Sequence, residues 1–313
     1  MTPTARAQWQ IHLCVLLWGF TAILGKLISL PALPLVWWRM LLVASTLLLL
    51  PRVWRGLRAL PRRLLLAYSG VGALVALHWL TFYGAVKLAN ASVAATCMAL
   101  ATVFVALIEP LVARSRFSWR ELALGLAVLP GVALVVGGVP DGMRVGIAVG
   151  ALSALFVACF GAMNKRLVER ADPLTVTALE LGAGTLTLTL LAPLMPLLFP
   201  AFAGSLLTLP GAQDGAWLLL LAFACTLLPF ALSLVALRHM SAFAAQLAVN
   251  LEPVYAIALA IVLLGEQREL APGFYAGVAI ILAAVLVYPV LARPRRIVHA
   301  ENIGTGEAKS ITR

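Results

Sequence analysis

Apolar residues gather into ten runs separated by short polar or charged segments, at roughly 9 to 28, 34 to 50, 64 to 86, 91 to 113, 121 to 139, 145 to 165, 174 to 198, 215 to 237, 242 to 264 and 271 to 292. Each has about the 17 to 25 residues with which an α-helix crosses a bilayer. The pattern predicts an all-α integral membrane protein of ten transmembrane helices.

Composition agrees: 63% of residues are hydrophobic and 11% charged, against roughly one quarter charged in an ordinary soluble domain. The net charge of +11 would suggest nucleic acid in a soluble protein, but its placement gives a different reading. With the N-terminus inside, eighteen of the 23 Lys and Arg fall on one side: Arg6, the run Arg52 to Arg63, Arg114 to Arg120, Lys165 to Arg170, Arg238, and the tail from Arg293. Only Lys87, Arg144 and Arg268 fall on the other, and Lys26 and Arg39 lie within apolar runs. The positive-inside rule therefore predicts both termini in the cytoplasm, with the excess charge setting topology and meeting membrane lipids. No nucleic-acid site is read. The first run follows a single Arg, lacks a small-residue cleavage site and continues into Lys26, so it is expected to be a crossing rather than a removed signal peptide. Cys14, Cys97, Cys159 and Cys225 all lie in apolar runs, as small hydrophobes without metal or disulfide spacing. Residues 293–313 are polar and are expected to be a disordered cytoplasmic tail, and residues 1–8 a cytoplasmic N-terminus.

The chain also repeats. Val93 to Ala106 matches Phe243 to Ala256 at an offset of 150, and Leu122 to Val136 matches Phe274 to Tyr288 at 152, with seven identities in 29 positions. Runs four and five thus pair with nine and ten, giving repeats over 9–139 and 145–292. Five crossings per repeat force the second copy to insert upside down, the inverted-repeat design of many secondary transporters.

NLEPVYAIALAIVLLGE at 250–266 followed by Gly277, LLWGFTAILGKL at 16–27 and ALRHMSAFAAQL at 236–247 resemble the EamA-type domain of the drug/metabolite transporter superfamily. The first copy departs from that pattern, with Val103 where the second has Pro253 and Arg116 where it has Glu266. The resemblance implies a bacterial inner-membrane exporter of small metabolites or drugs, with a central cavity between the halves. It fixes no substrate.

Ionisable groups at membrane depth are costly, so each is weighed against a structural role. Glu252 lies about 15 Å into run nine by helical rise, near the midplane, and is the first candidate for substrate binding or proton coupling. Glu180, about 10 Å into run seven, is intermediate, and Glu109, nearer an end, is expected to form an interfacial ion pair with Arg114 and Arg116. Lys26 is expected to snorkel to water. Arg39 is deeper, and its alternatives are snorkelling, a carboxylate partner or an anionic substrate. Trp37 and Trp38 read as interfacial aromatics. His78, Trp79, Phe82 and Tyr83 in run three, with Trp18 in run one, offer a cavity wall, or in the case of His78 a hydrogen bond to a neighbouring helix.

In run nine, Gln246 and Asn250 share one helical face, and Glu252 and Tyr255 share another about 160° away, so a continuous helix would present only one pair to a narrow cavity. Pro253 removes an amide donor and frees the Val249 carbonyl; with Pro229 and Pro130 it is a hinge candidate. Enzyme chemistry is unsupported: the four histidines, 12, 78, 239 and 299, have no metal-ligand spacing, and no GxSxG or Walker A sequence occurs. No cofactor is expected; the partners are a small-molecule substrate and lipid, and transport would draw on an ion or counter-substrate gradient. The sequence therefore predicts an alternating-access secondary transporter of a small, amino-acid-like metabolite or drug. Its rivals are an organic-anion, sugar-phosphate or nucleotide-sugar exchanger, for which only Lys26 and Arg39 are available, and a membrane receptor or scaffold that moves nothing.

Overall fold

The computed structural model describes residues 2–112, 116–249 and 251–291, with side chains of the last helix described as far as Ala284. Arg114, Asn250 and the tail 293–313 lie outside the described residues. Among the described residues the elements are all helical: α1 (Pro3–Leu27), α2 (Ala32–Leu48), α3 (Pro51–Ala59), α4 (Arg62–Leu88), α5 (Ala91–Val112), α6 (Trp119–Gly137), α7 (Asp141–Leu167), α8 (Pro173–Leu198), α9 (Ala212–Leu237), α10 (Ala242–Leu264) and α11 (Pro272–Leu291).

Eight of these are long and apolar enough to cross a membrane, nine if α2 and α3 form one bent span. The bend between α2 and α3 is 92°, so residues that read as a loop form a short helix. Arg52, Arg55 and Arg58 stand on it, while Val53 is buried. The outside of the bundle is apolar, with Leu111, Leu190 and Val262 exposed at 81%, 69% and 79%. Leucine and valine turned outward on several helices need lipid rather than water around them.

Proline sets the internal breaks. α10 is interrupted at Leu251, which forms a turn just before Glu252 and Pro253, and α6 between Leu126 and Leu129, beside Pro130. In α9 a π-helical turn over Phe223–Leu227 precedes Pro229. Without an N–H, Pro229 cannot bond the carbonyl four residues earlier, which is that of Cys225. α5 carries a 3₁₀ turn over Met98–Leu100.

Packing repeats itself across the two halves. α4 packs on α7 as α9 packs on α1, α5 on α7 as α10 on α1, and α4 on α8 as α9 on α2. The pairs α2–α8, α6–α11 and α5–α10 close on themselves. In the last pair the first half of α5 meets the second half of α10 and the reverse, so the two run antiparallel. The crossing of α6 and α11 brings Gly131 against the Gly277 backbone and Gly277 against that of Gly131, where a Cβ on either would collide.

Helix ends follow the same rule. Asn90 Oδ1 accepts from Val93 N at 2.9 Å to cap α5, and Ser241 Oγ accepts from Ala244 N at 3.0 Å to cap α10. These caps stand 151 residues apart, so the structural register is one residue longer than the offset of 150 read from sequence identities. Lys87 Nζ donates to the Ile28 carbonyl that ends α1, and Arg238, again 151 residues on, donates to the Val168 carbonyl that ends α7. Each cation thereby meets the negative end of a helix.

Two carboxylates tie α5 to α10. Glu266 accepts from Ala91 N at 3.1 Å and from Ser92 N and Oγ at 3.0 and 2.6 Å. Glu109 accepts from Ala242 N and Phe243 N at 3.1 and 2.7 Å. Each therefore neutralises the exposed amides at the start of the other helix.

Candidate functional site

A cavity of about 1030 Å³ of atom-free space, part of it continuous with the outside, lies between α1, α2, α4, α5, α7, α9 and α10. Its deep part is lined by Trp18 and Thr21 of α1, Arg39 of α2, His78, Trp79 and Phe82 of α4, and Glu252 of α10. From there the lining runs through Phe160, Ser233 and Gln246 to Asn164, Leu237, Ala242 and Ile11. Asn164 directly precedes Lys165 and Arg166, and Leu237 directly precedes Arg238, so the cavity reaches the Arg-rich end of the bundle. At the opposite end Glu266 holds α5, Lys87 holds α1, and Asp214 accepts from Ser29 N and Oγ at 2.9 and 2.5 Å.

Arg39 is 1% exposed. Its Nε donates to Thr226 Oγ1 at 2.5 Å, Nη1 to the Tyr83 hydroxyl at 2.8 Å and Nη2 to the Cys225 carbonyl at 3.4 Å, and its guanidinium lies 3.8 Å from the centroid of Trp79. The π turn makes this socket: Thr226 Oγ1 itself donates to the Leu221 carbonyl at 2.6 Å, and the Cys225 carbonyl is available because Pro229 has no amide hydrogen to give it. All these partners are neutral, and among the described residues no carboxylate pairs with Arg39. A guanidinium has five N–H groups, so one on each terminal nitrogen is not taken by them. Glu252, 7% exposed, shares the lining, and among the described residues it forms no ion pair with Arg39. The cavity thus holds a cation and a carboxyl apart, between aromatic walls.

His78 fixes one wall. Its Nδ1 lies 3.1 Å from the Ser153 carbonyl and 2.8 Å from Ser153 Oγ, which in turn donates to the His78 carbonyl at 2.8 Å. A carbonyl only accepts, which assigns the ring hydrogen to Nδ1. The ring packs on Phe160 at 5.5 Å between centroids, and Trp79 meets Phe230 edge-on at 6.0 Å.

The model of the EamA-like transporter family matches residues 7–137 and again residues 144–290. The chain belongs to the EamA-like transporter family. The two matches divide it into two family repeats, α1 to α6 and α7 to α11, so it is a multi-span membrane protein of a transporter family rather than an enzyme. No curated protein matches it. A solved structure described only as the crystal structure of a protein is 17% identical, covers 92% of this chain and 98% of its own, and superposes with a TM-score of 0.65; that likeness is one of fold.

Within this family frame, Trp18, Arg39, His78, Trp79, Gln246 and Glu252 all line the cavity, and Tyr83 stands behind Arg39. Tyr255 does not join them: it is 37% exposed and its Cβ packs on Gly19 of α1. The expectation that Gln246 and Glu252 exclude each other from one cavity fails as well, because it presumes a continuous helix and α10 breaks between them. Glu180 is fully buried and bonded to Asn164, behind the lining. Lys26 is exposed. Trp37 Nε1 donates to Thr189 Oγ1 at 2.8 Å, and Trp38 meets Trp37 edge-on at 5.1 Å. Sequence reasoning passes over Thr226, Asn164, Ser153 and Phe160. The sequence signal at Asn164 points elsewhere, since it directly precedes Lys165 and Arg166 and so reads as the polar end of a helix.

Proposed function

We propose that this chain is a secondary transporter exporting a small zwitterionic, amino-acid-like metabolite across the cell (inner) membrane by alternating access between inverted halves. In this reading α1, α2 and α4 to α11 are ten crossings, α3 lies along the cytoplasmic surface, and both termini are cytoplasmic. The exchange of packing partners between halves, the antiparallel α5 and α10, and the eighteen-to-three distribution of Lys and Arg support it.

The observation that carries the proposal is Arg39. A buried guanidinium with neutral partners is a costly arrangement unless an anion completes it, and its free N–H groups suit a carboxylate. Glu252 would receive the ammonium, at the break of α10, while Trp18 and Trp79 enclose the remainder. The sugar-phosphate reading is disfavoured because Lys26 is exposed and leaves Arg39 as the cation among the lining residues.

Counterflow in proteoliposomes tests the reading. With the vesicles preloaded with one unlabelled amino acid at a time, at least one member of a full panel is expected to draw in its labelled form, with Arg39→Gln and Glu252→Gln each reducing the rate by more than about tenfold, the loss of one charge-assisted contact or more. No counterflow with any member, from protein that is folded and inserted, would overturn it.

A further inference from the structure

A second polar feature lies beside the cavity. Glu180 of α8 is 0% exposed and Asn164 of α7 3%. Asn164 Nδ2 donates to Glu180 Oε2 at 3.3 Å, which leaves Glu180 Oε1 and Asn164 Oδ1 without a partner among the described residues. Two acceptors therefore remain and no donor reaches either. Buried polar atoms without partners are uncommon in native proteins and call for an explanation. Asn164 also lines the cavity, which gives the pair a route to solvent at the Arg-rich end.

One hydrogen resolves both deficits. A carboxylic acid and a primary amide form a ring of two hydrogen bonds, N–H to one carboxyl oxygen and O–H to the amide oxygen. The N–H half of that ring is present. A metal cation of similar role would need about six oxygen ligands, and the pair offers two.

The position gives this hydrogen a mechanical meaning. Gly72 of α4 lies so close to Glu180 that a Cβ there would collide with the Glu180 carbonyl, and a Cβ on Gly184 would come within 2.8 Å of the Gly72 carbonyl. This crossing joins α4 of the first repeat to α8 of the second. Charge on Glu180 requires hydration from the cavity, whereas the neutral acid lets the seam stay dry. Charged and titratable groups stand on the elements around it. From α4, Tyr68 donates its hydroxyl hydrogen to the Leu167 carbonyl at 2.8 Å and His78 is bonded to Ser153; Arg170 follows the end of α7, and Arg238, at the end of α9, donates to the Val168 and Ala171 carbonyls. From α2 comes Arg39, bonded to Tyr83 and, on α9, to Thr226 and the Cys225 carbonyl; from α9 comes the buried Cys225, and from α3, Arg52 pairs with Asp172 at 2.5 Å.

We infer that Glu180 and Asn164 form the proton-binding site that couples this transporter to a pH gradient, Glu180 Oε1 taking up and returning one proton per cycle while Arg39 and Glu252 hold the substrate. The inference rests on the transport reading above. Its test has a part that does not. In infrared spectra of the reconstituted protein, a protonated-carboxyl band titrates away as the pH is raised, disappears in Glu180→Gln, persists in Glu252→Gln and moves in Asn164→Ala. A band unchanged in Glu180→Gln overturns the assignment. With an amino acid that the protein exchanges, the parent accumulates label under one sign of pH gradient and not the other, up to about tenfold per pH unit for one proton. Glu180→Gln retains counterflow and loses accumulation. Accumulation in Glu180→Gln equal to the parent, or dependence on sodium in place of pH, overturns the coupling role. Absence of counterflow in the parent overturns the transport reading instead, and leaves the infrared result to decide the proton site.

Discussion

Arg39 shows why a guanidinium rather than an ammonium occupies this position. Three fixed acceptors and the Trp79 face address a planar fork, whose geometry and stacking face the compact ammonium of a lysine does not reproduce. Arg39→Lys is therefore expected to transport as poorly as Arg39→Gln in the counterflow assay, whereas Lys26→Gln, at an exposed position, is expected to stay close to the parent; equal behaviour of Arg39→Gln and Lys26→Gln would remove Arg39 from the site. Much of this is legible from depth and residue type alone, since an Arg inside an apolar run must find partners. The partners themselves are not: Thr226 and the Cys225 carbonyl owe their positions to the π turn before Pro229, and a sequence reveals the proline but not which way the helix yields.

Helix breaks and crossings carry the next level. Excluding Gln246 from a cavity that holds Glu252 extends ideal helical geometry through Pro253, although that proline itself reads as a break. Asn164 escapes notice because its neighbours Lys165 and Arg166 mark a helix end, and only the packing of α7 and α8 on the same helix, α4, brings it to Glu180. The crossings give sharper expectations. Gly72→Ala places a methyl group against the Glu180 carbonyl, and overpacking of this kind costs about 1–3 kcal/mol; thermal stability in detergent is expected to fall, while Gly70→Ala, with open space around it, is expected to leave it unchanged. Glu266→Ala removes three hydrogen bonds from the start of α5 and is expected to destabilise by about 2–4 kcal/mol, given about 1.5–3 for each bond to a charged group and the access of water to the vacated end. Ser92→Ala, which leaves both amide bonds, is expected to cost less, and the order of the two melting temperatures checks it.

On the scale of the whole molecule, the two halves are related by exchange of partners, and the weak identities of the sequence anticipate this through their order along the chain more than their number. The register needs three-dimensional caps, Asn90 and Ser241, because Ala- and Leu-rich helices match one another at neighbouring offsets. The cavity reaches the Arg-rich end, while contacts of Glu266, Lys87 and Asp214 hold the other end together, so a transporter must at some point reverse that asymmetry. Ser233 of α9 lines the cavity and is the position from which to see it. In a variant with the four native cysteines replaced, Ser233→Cys is expected to react with a membrane-impermeant thiol reagent supplied from the cytoplasmic side and, in a separate population, from the outside, with the exchanged amino acid slowing both reactions. Labelling from one side alone, unaffected by any amino acid, would describe a static receptor and contradict the account.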